Sequence, residues 1–341
     1  MATAEHVLIV GGAGFIGSHF TDHLLADPAI SGVTLFDNFS SGREWHYEHH
    51  LRDPRFAVVK ADVKAGELLC EVMQGHELVI HLASNPDIAR AATEPTIDFD
   101  EGTLLTQRVM EAMRLSGASQ ILYASGSGVY GDLGQHEVAE GFGPLAPVST
   151  YGASKLAGEA MISAYCHMFG LRGAAFRFGN VVGPRQTHGV GFDFVRRLVV
   201  DPSRLSILGD GTQSKSYIHV DDVVRAVLVV AAMDATGFEV FNVATDDYIT
   251  VSEIAALAVE VVGLDPGSVR FEYAGGDRGW KGDVPIVRLT RSGSAAQAGS
   301  ANSGRARPFD GRWRAWSLTH APGDFDEIGS LLRPRWRPQP V

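Results

Sequence analysis

Cysteine and net positive charge are both scarce in this 341-residue chain, which has two cysteines and 29 Lys and Arg against 40 Asp and Glu, for a formal charge of −11. An acidic surface of this kind argues against a nucleic-acid partner or an anionic membrane, leaving room only for a local basic pocket that takes a small anion. Cys70 and Cys166 lie in apolar, helix-like surroundings without metal-ligand spacing, so they are read as buried reduced thiols and no metal is expected. No apolar stretch reaches the roughly 18 residues of a membrane helix. The first apolar run, VLIVGGAGFIG, has neither a basic leader nor a small-residue cleavage site, and the expected compartment is the cytoplasm.

The chain has instead a series of short apolar runs, HVLIVGG, VTLFDN, FAVVKADV, LVIHLAS, ILYASG and GAAFRFGNVVG, alternating with helix-like stretches such as SHFTDHLLAD and TLLTQRVMEAMRLSG. That alternation predicts α/β architecture: a doubly wound parallel sheet with helices on both faces and ligands at the carboxyl ends of its strands. After Gly183 the pattern loosens into mixed helices and strands, with LSILGDGTQ read as a turn. The stretches VDDVVRAVLVVAAM and FNVA are expected to return to the main sheet. From residue 290 the chain is rich in Ser, Gly, Ala and Arg without a helical or strand period, and residues 290–341 are expected to be an irregular tail.

VLIVGGAGFIGSHF places Gly11, Gly14 and Gly17 in a GxxGxxG turn between a strand and a helix. Small residues there let backbone amides and the helix N-terminus approach a pyrophosphate. Asp37 ends the next strand, placed to bind an adenosine ribose through its hydroxyls, and its charge repels an added phosphate, which favours NAD over NADP. Arg43, nearby, is read as a solvated loop charge. Asp62 either hydrogen-bonds the adenine or caps the helix that follows. Phe15, Ile16, Asn38, Val63, Leu82 and Ala83 complete the expected cofactor contacts. Tyr151 and Lys155 stand four apart in STYGASKLAGEAM, on one helical face. A neighbouring ammonium and a cationic nicotinamide ring favour the phenolate of a tyrosine that otherwise ionises near pH 10.

Six motifs, GGAGFIG, HLAS at 81–84, SGSGVYGD at 125–132, YGASK at 151–155, RFGNVVGPR at 177–185 and KSYIHVDD at 215–222, make residues 5 to about 289 similar to the extended short-chain dehydrogenase/reductases. Within these the chain resembles the NAD-dependent epimerase/dehydratases that epimerise carbon 4 of UDP-glucose or UDP-glucuronate. The resemblance implies an NAD-binding Rossmann domain over 1–182, joined by about 219–246, and a smaller mixed α/β nucleotide-sugar domain over 183–289. It also implies an enzyme in which Tyr151 takes the proton of the sugar's 4-hydroxyl while NAD takes the hydride from carbon 4. Lys155 would hold the nicotinamide ribose, and the 4-keto sugar would turn over before reduction.

Asn180 resembles an asparagine that contacts substrate near the diphosphate, and Arg278 and Asp283 resemble a pair that clamps the nucleotide. Lys215 stands where many relatives carry arginine, keeping the charge without the planar fork. The substrate-orienting Ser or Thr of this family falls on Gly126, so Ser127 is expected to substitute for it, with Ser125 as second choice. The dehydratases' Asp and Glu pair and the decarboxylases' Glu fall on positions without a carboxylate, Ser127 and Gly128. Arg90 and Arg185 are expected to bind a uronate carboxylate or the diphosphate. The expected partners are a UDP-sugar and a second copy of the chain, as a homodimer. A UDP-glucuronate decarboxylase, and an NAD or nucleotide-sugar binder without catalysis, are the alternative readings.

Overall fold

Apolar residues alternate between two faces along the first strand, β1 (His6–Val10): Val7 and Ile9 enter one core cluster, Leu8 and Val10 the other. Burial of both faces is what a strand covered by helices on both sides requires. The structure, a computed structural model, describes residues 5–233 and 236–290. It joins β1, β2 (Gly32–Asp37), β3 (Phe56–Lys60), β4 (Leu78–His81), β5 (Gln120–Gly126), β6 (Arg172–Phe178) and β7 (Phe238–Val243) in one seven-stranded sheet. The order is β7-β6-β5-β4-β1-β2-β3, and every pair is parallel. The doubly wound sheet expected from the sequence is therefore present, including the late strand β7, which comes back to pair with β6.

Helices α1 (Phe15–Ala26) and α6 (Val220–Ala231) supply Phe20, Leu24, Val223 and Val227 to the core on one face. On the other face α2 (Gly66–Met73), α3 (Leu104–Ser116) and α4 (Thr150–Phe169) supply Leu69, Met110, Met113 and Ile162, and Cys166 is buried among them. The strand order reverses at β1, whose neighbours are β2 and β4, so the crevice beyond the carboxyl ends of β1 and β4 is where a doubly wound sheet takes its ligand.

A third cluster is built by α5 (Val190–Val200) and α7 (Val251–Val262), with Phe194, Leu198, Ile254 and Val259 at its centre. Its strands Arg204–Ile207 and Arg270–Tyr273 pair in parallel. The LSILGDGTQ segment thus opens with a strand, not with the turn expected: Leu205 and Ile207 alternate with Arg204 and Ser206, and the two apolar side chains are buried. The expected tail beyond Thr290 lies outside the described residues. No helix among the described residues is long and apolar enough to cross a membrane.

Helix α4 sits on β5 and β6 through a buried ion pair. Arg177 donates from Nε to Glu159 Oε1 at 3.0 Å and from Nη2 to Oε2 at 2.7 Å, and both side chains are 4% exposed. Ser125 donates to the same carboxylate at 2.5 Å. Glu159→Ala would leave a buried guanidinium without its counter-charge, a change that costs about 3–5 kcal/mol. Urea denaturation of the variant is expected to show a loss of that size; a loss under about 1 kcal/mol would mean that the pair does not anchor α4.

Candidate active site

The turn after β1 is shaped by contacts only glycine permits. Gly11 has φ +79°, and a Cβ there would lie 2.6 Å from the backbone nitrogen of Ala83. A Cβ on Gly17 would lie 2.4 Å from the carbonyl oxygen of Gly12, so α1 begins against the turn itself. Gly14 caps α1 without a side-chain hydrogen bond, leaving the first amides of the helix, those of Phe15, Ile16 and Gly17, without intrahelical acceptors. Such amides, at the positive end of a 12-residue helix, suit a pyrophosphate.

Asp37 closes this cradle. Its Oδ2 accepts from the Ala13 amide at 2.9 Å and its Oδ1 from that of Phe39 at 2.7 Å, which fixes the carboxylate over the turn with lone pairs left for ribose hydroxyls. Burial raises its pKa above the usual carboxylate value, against the opposing pull of those two amides. Asn38 donates to Asp62 at 3.1 Å, joining the ends of β2 and β3 where an adenine would lie. Asp62 does not cap α2, whose cap residue is Ala65; it accepts instead from the Lys64 amide. The amides of Leu82 and Ala83 both donate to the Val10 carbonyl, and Val63 is buried. These residues fit a dinucleotide.

Ser149 caps α4, its Oγ accepting from the Gly152 amide at 3.0 Å, which places Tyr151 in the first turn and Lys155 one turn later. The Lys155 ammonium donates to the Ala124 carbonyl at 2.7 Å and lies 5.5 Å from the centre of the Tyr151 ring. Burial governs both groups: it lowers Lys155 to about 8 and pushes the Tyr151 phenol up. A hydrogen bond from Ser84 pulls the phenol the other way, and the charge of Asp98 adds to the upward push.

The residues expected to reach the sugar separate into two groups. Lys215 donates to Asp283 Oδ1 at 2.6 Å, and Arg278 donates to the Asp283 carbonyl at 2.6 Å while pairing with Asp132. Asn180 lies in a short strand paired with Tyr217–His219, and its side chain donates to the Ser216 carbonyl. Arg90 and Arg185 stand apart. Arg90 is half exposed and paired with Glu94; Arg185 pairs with Asp22 and donates to the His46 carbonyl, tying the loop after β2 to α1. Each guanidinium thus holds a carboxylate, as Lys215 holds Asp283 and Arg278 holds Asp132.

The Ser125 hydroxyl donates to Glu159 beneath α4. Ser127 opens the Ser127–Tyr130 turn and lines a small cavity with Val138, Ile286 and Arg288. Gly126 itself is in ordinary extended backbone, φ −160° and ψ 162°, so it contributes open space rather than an unusual turn. His81 is fully buried against Thr106, and His188 meets Thr187, consistent with structural histidines. Asp22, His49 and His50 bring three possible metal ligands within 4.8 Å; Arg185 also holds this carboxylate, and both histidines hydrogen-bond to it.

Sequence reasoning missed Ser84, Asn85, Asp98, Asp132 and Glu159. Asp98, 1% exposed, accepts from Asn85 Nδ2 at 2.8 Å and from Thr150 Oγ1 at 2.7 Å. The sequence carried one usable signal, the i, i+4 spacing of Lys155 and Glu159, which puts the glutamate on the inward face of α4.

Residues 7–244 match the model of the NAD dependent epimerase/dehydratase family. Over 264 residues, 75% of this chain and 82% of the relative, the sequence is 34% identical to a UDP-glucose 4-epimerase of Mycolicibacterium smegmatis. Over 293 residues, 83% of this chain and 87% of the relative, it is 29% identical to a dTDP-glucose 4,6-dehydratase of Streptomyces griseus. Among solved structures, a UDP-galactose 4-epimerase superposes with a TM-score of 0.77 at 32% identity, covering 95% of this chain and 99% of that one. A glycine cradle closed by Asp37, Tyr151 paired with a buried Lys155 at the adjacent strand ends and a family match over most of the chain agree: the chain belongs to the NAD-dependent epimerase/dehydratase family.

Proposed function

We propose that this protein is a UDP-sugar 4-epimerase that inverts carbon 4 of a neutral hexose, interconverting UDP-glucose and UDP-galactose. The observation that carries the reading is the pair of Tyr151 and the buried Lys155, beside which no free carboxylate stands among the described residues. Removal of a sugar hydroxyl or of a carboxyl group calls for an additional acid or base, whereas inversion at carbon 4 needs one group that takes and returns a proton. Positions 127 and 128 are Ser and Gly, and both oxygens of the nearby Asp98 are occupied by Asn85 and Thr150. The engagement of Arg90 by Glu94 and of Arg185 by Asp22 supports a neutral sugar over a uronate.

NAD, when bound, supplies a reversible hydride acceptor at carbon 4 and a positive charge beside the phenol. Tyr151 takes the proton of the 4-hydroxyl and gives it back from the same oxygen. Lys155, held by the Ala124 carbonyl, keeps an ammonium against the Tyr151 ring and favours the phenolate once the buried pair has gained positive charge. Lys215, paired with Asp283, and Arg278, paired with Asp132, would meet the diphosphate by sharing those carboxylates' charge with it.

Proton NMR of purified protein with UDP-glucose is expected to show carbon-4 inversion, with UDP-glucuronate turned over at least about tenfold more slowly; the reverse preference, or loss of water or of carbon dioxide from either sugar, would overturn the reading. Tyr151→Phe keeps the ring packed and removes the proton acceptor, so it is expected to retain NAD while activity falls at least about a hundredfold. Activity within about tenfold of wild type would contradict the assignment of Tyr151 as the base.

The ends of α3 and α4 expose apolar side chains, with Leu115 at 59%, Met168 at 68% and Phe169 at 45%. A patch of this kind suits a self-complementary contact across a twofold axis. Light scattering at micromolar concentration is expected to give the mass of a dimer, and a monomeric mass would remove this proposal.

A further inference from the structure

The expectation that a serine of the SGSG loop orients the substrate leads to a different residue. Pairing of β4 with β5 runs to His81 opposite Tyr123; Ser84 follows three residues later in the loop beyond that edge, and Gly126 ends β5. At Gly126 a side chain is missing and a Cβ would meet nothing within 4 Å, whereas Ser84 is the side chain hydrogen-bonded to Tyr151.

The loop that carries Ser84 is not free to move away. Asn85 donates to the Asp87 carbonyl at 3.0 Å and to Asp98 at 2.8 Å, and the other oxygen of Asp98 accepts from Thr150, the residue before Tyr151. One buried carboxylate therefore holds the neighbours of both Ser84 and Tyr151, and fixes the two hydroxyls relative to each other. Of the two other serines, Ser125 is spent on Glu159, and Ser127 opens the next turn.

We infer that Ser84 is a positioning residue for the reaction proposed above: its hydroxyl donates to the Tyr151 oxygen, stabilises the phenolate, and aligns it with the sugar's 4-hydroxyl in the space left open at Gly126. The inference rests on Tyr151 being the base, and deepens that reading by naming the group that tunes it. A serine donor on a phenolate favours the ionised form, so its removal moves the ionisation of Tyr151 upward.

The test uses full-length, NAD-loaded protein and the variants Ser84→Ala, Ser84→Thr, Ser127→Ala and Ser84→Ala/Gly126→Ser. Ser84→Ala is expected to lower kcat for UDP-glucose about a hundredfold with KM changed by less than about threefold, the loss usual for one donor to a reacting oxygen. Ser84→Thr and the double variant are expected to regain at least about tenfold of it, and Ser127→Ala to stay within about threefold of wild type. A second readout needs no turnover. Ultraviolet difference titration against Tyr151→Phe isolates the Tyr151 phenol, which should ionise about one pH unit higher in Ser84→Ala, the size of a lost hydrogen bond to a charged group.

Near-wild-type kcat in Ser84→Ala, an unmoved phenol, or a loss confined to Ser127→Ala would overturn the inference. Loss of kcat together with lost NAD or a lowered unfolding temperature, without rescue by threonine, would also overturn it, since that is the signature of a merely structural loop residue. A wild type inactive on every UDP-sugar while the Ser84→Ala phenol still shifts would sink the epimerase reading and leave the Ser84–Tyr151 coupling standing.

Discussion

A charged contact buried beneath α4 decides where the chemistry can happen. Glu159, out of water, must have its charge matched, and it finds Arg177 on β6 and the Ser125 hydroxyl on β5. One turn earlier Lys155, also buried, donates to the backbone of the strand that carries Ser125. Inward contacts one turn apart fix both the rotation and the height of the helix over the sheet. Tyr151, a further turn towards the N-terminus, is thereby held at the carboxyl edge, where the parallel strands end and the glycine turn begins. Breaking a buried pair of this kind costs several kcal/mol because one charge is left alone, so the contact constrains geometry more than it adds net stability.

The same burial that positions the pair works against its ionisation. Desolvation raises the Tyr151 phenol and lowers the Lys155 ammonium to about 8; the Asp98 charge adds to the rise of the phenol but favours the ammonium. The protein alone thus holds its base in the neutral form. Activation falls to groups that favour the phenolate locally: a hydroxyl donor from the adjacent strand end and the positive charge of the oxidised cofactor.

Much of this was legible in the sequence, because the informative residues were local. The glycine turn, Asp37 at the end of the next strand and the four-residue spacing of Tyr151 and Lys155 each belong to one short segment whose secondary structure is set by its own pattern, and each stands where the pattern puts it. The contacts that escaped are non-local. Glu159 meets Arg177 across 18 residues, Asp98 meets Thr150 across 52, and Arg278 meets Asp132 across 146. The carboxylates that meet Arg90 and Arg185, Glu94 and Asp22, are likewise seen only once the chain is folded. Gly126 was read for its conformational freedom, yet its backbone is extended, and what it contributes is room.

Room at Gly126 and a hydroxyl at Ser84 are two halves of one arrangement. In a parallel sheet, neighbouring strand ends open on the same crevice and can each supply side chains to it. A hydroxyl can therefore move from the end of one strand to the end of the next while its distance from the base changes little, provided the vacated position keeps no bulk. The tie through Asp98 is what makes such a shift workable, since the loop after β4 would otherwise lack the rigidity that β5 derives from its place between β4 and β6. The buried Asp98 carboxylate, held by Asn85 and Thr150, thus makes a loop a fixed edge of the site.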